Sequence, residues 1–138
     1  MTPTDEARER VAIAVVEYDG RYLVGTRGPD QSLAGRAEFP GGRCLPNEEG
    51  SACAVRECRE ETGLAVTVVR KLCECRHAYA HGTLELEFWL CRLERGENAD
   101  RAAGGFRWVP LDSLSSLDFP DANRTVLKIL AAGSRTAS

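Results

Sequence analysis

Glu57, Glu60 and Glu61 stand at i, i+3 and i+4 within the run Gly42–Leu64, GRCLPNEEGSACAVRECREETGL. On a helix this spacing puts all three carboxylates on one side. At 100° per residue they span an arc of about 100°. Gathered carboxylates repel by a few tenths of a kcal/mol per exposed pair, so folding alone gives no reason to collect them. A hard divalent cation does, because Mg²⁺ and Mn²⁺ prefer oxygen ligands. A cation bridging phosphate oxygens neutralises their charge and orients an attacking water, and a carboxylate can take that water's proton. Arg56 is placed to pair with a glutamate and fix its orientation, bidentately where geometry permits. Glycines such as Gly41 and Gly42 let backbone amides and carbonyls approach a ligand closely.

These residues need a scaffold. Val11–Val16 is an apolar, partly β-branched run, and Tyr18-Asp19-Gly20-Arg21 supplies a hairpin turn into a second strand over Tyr22–Thr26. Gly28–Gly35 reads as a polar loop of a length often tied to function. Phe39-Pro40-Gly41-Gly42 reads as a rigid-then-permissive turn. The pattern over Ser51–Thr62 is helical, with Gly63 in place to end it. Ala54, Val55, Cys58 and Thr62 form the buried stripe beside the glutamates. Val66–Arg76 and Thr83–Leu93 read as long strands; in the latter Leu84, Leu86, Phe88 and Leu90 alternate with Glu85, Glu87 and Trp89. Glu94–Gly105 is a polar loop, Phe106–Val109 a short strand stopped by Pro110, and Leu111–Leu117 a short helical turn. Asp121–Ala132 is a final amphipathic helix, expected to stop at Gly133. Strands and helices interleave, but the hairpins exclude a simple βαβ repeat.

The 138 residues are one domain's worth, with 43% apolar and 28% charged residues, ordinary for a globular protein. Eighteen basic residues against 21 acidic give a formal charge of −3, no footprint for a nucleic-acid polymer or an anionic membrane. No apolar run has the length of a bilayer span, and MTPTDEARER has no secretory apolar core, so a cytoplasmic protein is expected. Cys44, Cys53, Cys58, Cys73, Cys75 and Cys91 are expected to be small, mostly buried thiols. Cys73-Glu74-Cys75 is strand alternation, and zinc binding with His77 and His81 is the lesser reading.

The order Gly, five residues, Glu, seven residues, Arg-Glu-apolar-x-Glu-Glu-x-Gly-apolar is met by Gly42, Glu48, Arg56, Glu57, Cys58, Glu60, Glu61, Gly63 and Leu64. Here the chain resembles the Nudix hydrolase signature at every fixed position, with Cys58 where a larger aliphatic residue is more usual. An acidic, solvated helix face is the bland alternative, but solvation does not demand glycines and Arg56 in this register. The resemblance implies an α/β fold, a Nudix-type α/β/α sandwich with a mixed curved sheet. The signature helix would lie on one side and the C-terminal helix on the other. It divides the chain into a polar tail over 1–10, a Nudix domain over 11–132 and a tail over 133–138. It implies a Mg²⁺ cofactor, with Mn²⁺ as a substitute, held by Glu57, Glu60, Glu61 and the Gly41 carbonyl. Glu57, Arg56 and Glu60 are the catalytic candidates, with Glu57 the favoured general base and Glu48 a supporting ligand or anchor.

Outside the signature the chain is similar to MutT-type enzymes over three segments: Val11–Arg27, Ala37–Gly42 and Asp118–Asn123. The resemblance implies that Arg27 and Gly42 contact the nucleotide, Phe39 lines the base pocket and Asn123 reads the purine edge. An amide carries both donors and an acceptor and suits that task, but Asn123 also suits a helix N-cap, Phe39 a core plug and Arg27 an exposed loop cation. Gly82 stands where MutT-type enzymes place a base-contacting arginine, and His77, Tyr79 and His81 precede it as pocket-shaping candidates. An acidic residue in the loop before the tryptophan strand assists the metal site in some relatives; around Asn98–Gly105 only Glu97 and Asp100 could serve. The implied reaction is hydrolysis of a nucleoside triphosphate to monophosphate and pyrophosphate. Oxidised purine nucleotides of the 8-oxo-dGTP kind are the expected substrate, in nucleotide-pool sanitation. A CTP or 5-methyl-dCTP pyrophosphatase and a non-catalytic nucleotide-binding Nudix domain are the alternatives. The expected partner is the small nucleotide alone, with the chain a monomer or a homodimer, through exposed parts of Trp89 or of the Leu84 strand.

Overall fold

The computed structural model describes residues 8–30 and 34–136. The tail expected over residues 1–10 therefore lies mostly outside the described residues, as does the middle of the Gly28–Gly35 loop. The fold is organised by its first strand, β1 (Arg8–Tyr18). Ile13 and Val15 face one side of it, Ala12, Ala14 and Val16 the other, and all five are buried. A strand apolar on both faces belongs in the middle of a sheet. One edge of β1 runs parallel to β6 (Gly82–Leu93) over ten residue pairs, from Arg8↔Thr83 to Glu17↔Arg92. This pairing explains why Arg8–Arg10, ahead of the expected Val11, are already strand: these charged residues have a partner backbone.

The other edge of β1 is shared. Its end pairs with β2 (Arg21–Thr26) through the Asp19-Gly20 turn, where both residues have positive φ (53° and 76°), the geometry that matches strand twist in a two-residue hairpin. Its middle pairs with β4 (Gly41–Arg43). Beyond β2 lie β3 (Ala37–Glu38) and β7 (Arg107–Pro110), and β5 (Val66–Tyr79) flanks β6. The sheet has seven strands and is mixed, parallel at β1–β6 and antiparallel elsewhere. Register shifts at Val68/Arg70 and Lys71/Cys73 mark bulges in β5.

Two apolar cores lie on the two faces, as expected for a sheet between helices. One holds Cys53, Ala54 and Cys58 of α1 (Gly50–Thr62) against Ala12, Ala14, Val16 and Cys91. The other holds Val126 and Leu130 of α3 (Arg124–Thr136) against Ile13, Val15, Leu86 and Phe88. Small residues meet small residues between α1 and β1, so Cys58 fits where a larger side chain would push the helix outward. Cys53 is fully buried in the stripe, while Val55 is only half-buried. Gly63 ends α1 in the left-handed region (φ 79°), its N–H bonded to Arg59 O. A short α2 (Leu111–Leu114) precedes a 3-10 turn over Asp121–Asn123.

Two glycine readings are corrected. Gly41 and Gly42 form extended strand, not a turn, and neither has positive φ. A Cβ on Gly41 would lie 2.6 Å from Ala12 O and 2.8 Å from Ile13 Cα, so glycine is needed there for close strand approach. Gly133 does not stop the last helix, which runs on to Thr136. It lacks the positive φ that a terminating glycine supplies.

Candidate active site

Arg56 is the fixed point of the acidic cluster. Its Nε and Nη2 donate to Glu48 Oε2 and Oε1 at 2.8 and 2.9 Å, a two-pronged bond, and Nη2 also reaches Arg43 O at 3.1 Å. Its Nη1 donates to Glu57 Oε2 at 2.9 Å and to Glu60 at 3.2–3.3 Å. One guanidinium thus ties the loop before α1 to two helix carboxylates, using the fork geometry that makes arginine suited to such a hub. Arg56, with help from the Leu45 amide, holds the Glu48 carboxyl down to about 2. Arg10 Nη2 fastens the same loop through Glu48 O at 2.9 Å.

Glu61 lies on the other flank of Glu57. Its Oε1 accepts the Gly41 N–H at 3.3 Å. Burial pushes its carboxyl up to about 7; Glu57 and Glu38 add to that, and the Gly41 amide opposes it. A buried carboxylate pushed up in this way, with a second carboxylate adding to the push, makes a site that a divalent cation would relieve. A Cβ on Gly42 would run into the Glu57 carboxylate, so the glycine clears the space in which these oxygens gather. The donor set, all oxygen, fits a hard cation. Among the described residues no three acidic, histidine or cysteine side chains already surround one point; Glu60, 57% exposed, is turned to Arg56.

Above this cluster opens a cleft of about 1200 Å³. Gly41, Gly42 and Glu61 line one end. Arg27, Arg36 and Arg43 line its rim, each held by an acid: Glu38 at 3.0 Å, Asp118 at 3.1 Å and Glu9 at 3.4 Å. Val11, Ile13, Leu84, Leu86 and Phe106 give an apolar wall, and Pro120–Asn123 with His77 close the far end. Such a mix of apolar wall and a few convergent polar groups is what a small-molecule site requires.

The expected site residues thus fall into two layers. Arg27, Phe39, Gly41, Gly42, Glu61 and Asn123 line the cleft, while Arg56, Glu57 and Glu60 lie behind its glycine edge. Phe39 is 5% exposed and stacks on Phe119, centroids 4.9 Å apart, so it serves the core as well as the cleft. Asn123 is 9% exposed, and its Nδ2 donates to Pro120 O at 3.4 Å. Its Oδ1 makes no capping bond among the described residues. Glu97 accepts the Ala65 and Asn98 amides and is a loop anchor; Asp100 is exposed. His81 sits in the exposed β5–β6 turn, and the side chain of Tyr79 lies outside those described. The cysteines are free thiols, with Cys53, Cys58 and Cys91 buried. Arg36, Arg43 and Glu38 were not singled out by sequence reading; the only signal was that Arg43 and Glu38 flank the Phe39–Gly42 segment.

A profile of the NUDIX domain matches residues 11–129. The chain is 27% identical over 119 residues to the 8-oxo-dGTP diphosphatase of Escherichia coli K12, covering 86% of this chain and 92% of that protein. It is 33% identical over 79 residues to the CTP pyrophosphohydrolase of the same bacterium, covering 57% and 58%. Among solved structures, the MutT NUDIX hydrolase of Burkholderia pseudomallei superposes with a TM-score of 0.72 at 27% identity, covering 88% of this chain and 96% of that one.

Proposed function

Because this chain belongs to the Nudix family, as a MutT-like hydrolase, we propose that it hydrolyses a nucleoside triphosphate to monophosphate and pyrophosphate with Mg²⁺, Mn²⁺ substituting. Nudix hydrolases generally use divalent metal ions and act on small nucleotides. The observation that carries the reading is the placement of Glu61 on the Gly41 amide and of Glu57 against Gly42, at the end of a cleft whose rim is basic and which has an apolar wall.

In this reading Glu57, Glu60, Glu61 and the Gly41 carbonyl hold the cation, which supplies charge neutralisation at the phosphates. Glu57 takes the proton from the attacking water. Arg56 pins Oε2 of Glu57 at 2.9 Å and thereby sets the direction from which that carboxylate meets the water. Glu48 keeps Arg56 in place. Arg27, Arg36 and Arg43 bring positive charge to the phosphate chain. Phe39, Leu84 and Leu86 give the base an apolar bed, and Asn123 reads its edge.

The preferred substrate is an oxidised purine nucleotide of the 8-oxo-dGTP kind, removed from the cytoplasmic nucleotide pool. The likeness to a CTP pyrophosphohydrolase supports a second reading with the same site chemistry. Pyrophosphate release from 8-oxo-dGTP, dGTP, CTP and 5-methyl-dCTP, with and without Mg²⁺, tests both. The first reading expects kcat/KM highest for 8-oxo-dGTP, the second for a cytosine nucleotide. Absence of metal-dependent pyrophosphate from every nucleotide would mean a binding domain without turnover.

A further inference from the structure

We propose that His77 is a specificity-determining residue that hydrogen-bonds the edge of a purine base facing away from Asn123; this rests on the nucleotide reading above. Cys73, Cys75 and His77 alternate along β5 and so share one sheet face. Cys73 and Cys75 pack against the core on that face, and Cys75 Sγ donates to Ala122 O at 3.7 Å. That contact brings β5 against the turn bearing Asn123. His77 follows two residues further along, about 6.6–6.8 Å on, beyond the core and on the cleft wall, with Leu84 as its cross-strand partner.

Of the polar side chains at this end of the cleft, Asp121 is turned outward, 88% exposed and paired with Arg124 at 3.3 Å. Glu9 is paired with Arg43. Asn123 is anchored by its Nδ2. The His77 ring makes no hydrogen bond or ion pair among the described residues. It therefore brings one donor and one acceptor in its neutral form, or two donors when charged, to an otherwise apolar stretch formed by Leu84 and Leu86. A base lying on that stretch meets Asn123 first. A bicyclic base extends further along the wall than a monocyclic one, so a purine reaches both groups and a pyrimidine only one.

The test is steady-state kinetics of wild type, His77→Phe and His77→Gln with 8-oxo-dGTP, dGTP and dCTP, alongside thermal melts. His77→Phe keeps the ring's bulk and removes its polar atoms. It should raise KM for the purine nucleotides about tenfold, the worth of one hydrogen bond, with kcat unchanged and dCTP unaffected. His77→Gln, which retains a donor and an acceptor, should recover most of the loss. Purine and pyrimidine KM values that stay put, or move together within about twofold, would overturn the assignment. Wild type inactive on all three nucleotides would instead overturn the nucleotide reading, and His77's role with it.

Discussion

Gly42→Ala separates the position of Glu57 from the stability of the fold. A Cβ on Gly42 would lie 2.5 Å from Glu57 Cδ and 2.9 Å from Oε2, and nearer still to Oε1. Carbon atoms in ordinary contact stand about 3.5–4.0 Å apart, so the carboxylate must withdraw by ~1–1.5 Å. What it meets is the far end of a flexible side chain, so the backbone need not move. An off-rotamer glutamate costs about 0.5–1.5 kcal/mol. Replacing an extended glycine by alanine returns about 0.4–1 kcal/mol through the unfolded chain. The two nearly cancel, and the melting temperature should stay within about 5 °C of wild type. Turnover should not survive so well. Misplacement of a reacting group by about 1 Å costs on the order of 100-fold, roughly 2.7 kcal/mol of barrier. The neighbouring Gly41→Ala should fail in the opposite way. Its Cβ meets the backbone of Ala12 and Ile13, which cannot step aside without disturbing the β1–β4 pairing. The assays are Mg²⁺-dependent pyrophosphate release at saturating nucleotide and a thermal melt of each variant. Wild-type kcat in Gly42→Ala would show that the Glu57 carboxylate does not need its present place. Loss of fold in that variant would show that the glycine serves packing instead.

Three other outcomes follow from the same geometry. Glu57→Gln keeps the size of the side chain and should leave the melt nearly unchanged while kcat falls about 10²–10⁴-fold, the usual worth of a general base; retained turnover would remove Glu57 from the mechanism. Glu48 has its carboxyl held at about 2 in the folded protein against 4.5 as the unperturbed value. Its contribution is therefore whole above 4.5 and is lost as pH falls from there toward 2, so in melts followed down through that window Glu48→Gln should lose stability less steeply than wild type. Gly133 has open space where a Cβ would go and lies inside α3. Gly133→Ala should therefore raise stability by about 0.5–1 kcal/mol with kcat unchanged, and a drop in melting temperature would contradict the helical assignment.

Much of the scaffold was legible because its signals are local. The Asp19-Gly20 turn, the alternation from Leu84 to Leu90 and the left-handed Gly63 each depend on a few adjacent residues, and the structure shows all three. The acidic helix face was legible for the same reason, since i, i+3 and i+4 fix a direction before any tertiary contact exists. The strand character of Arg8–Arg10 was not, because charged residues enter a strand there through pairing with β6, more than seventy residues away. Nor were the partners of the rim arginines. Arg36 meets Asp118 and Arg43 meets Glu9 across the fold, and nothing near either arginine in sequence announces its acid.

The glycines show where local reading stops. A glycine in a chain signals either a backbone that needs positive φ or a place where a Cβ has no room, and only the first leaves a trace in neighbouring residues. Gly63 is of the first kind. Gly41 and Gly42 are of the second: their φ values suit any residue, and what excludes a side chain is β1 in one case and a carboxylate fifteen residues onward in the other. A turn was the natural reading of Phe39-Pro40-Gly41-Gly42, yet the chain bends at Pro40 alone, and both glycines lie in extended strand where they provide clearance. The same argument covers Cys58. Beside Ala12, Ala14 and Cys91, a small residue lets α1 settle close to the sheet, and that closeness sets how far Glu57 and Glu61 stand from Gly41 and Gly42. The site's dimensions are thus written in small residues that carry no chemistry of their own.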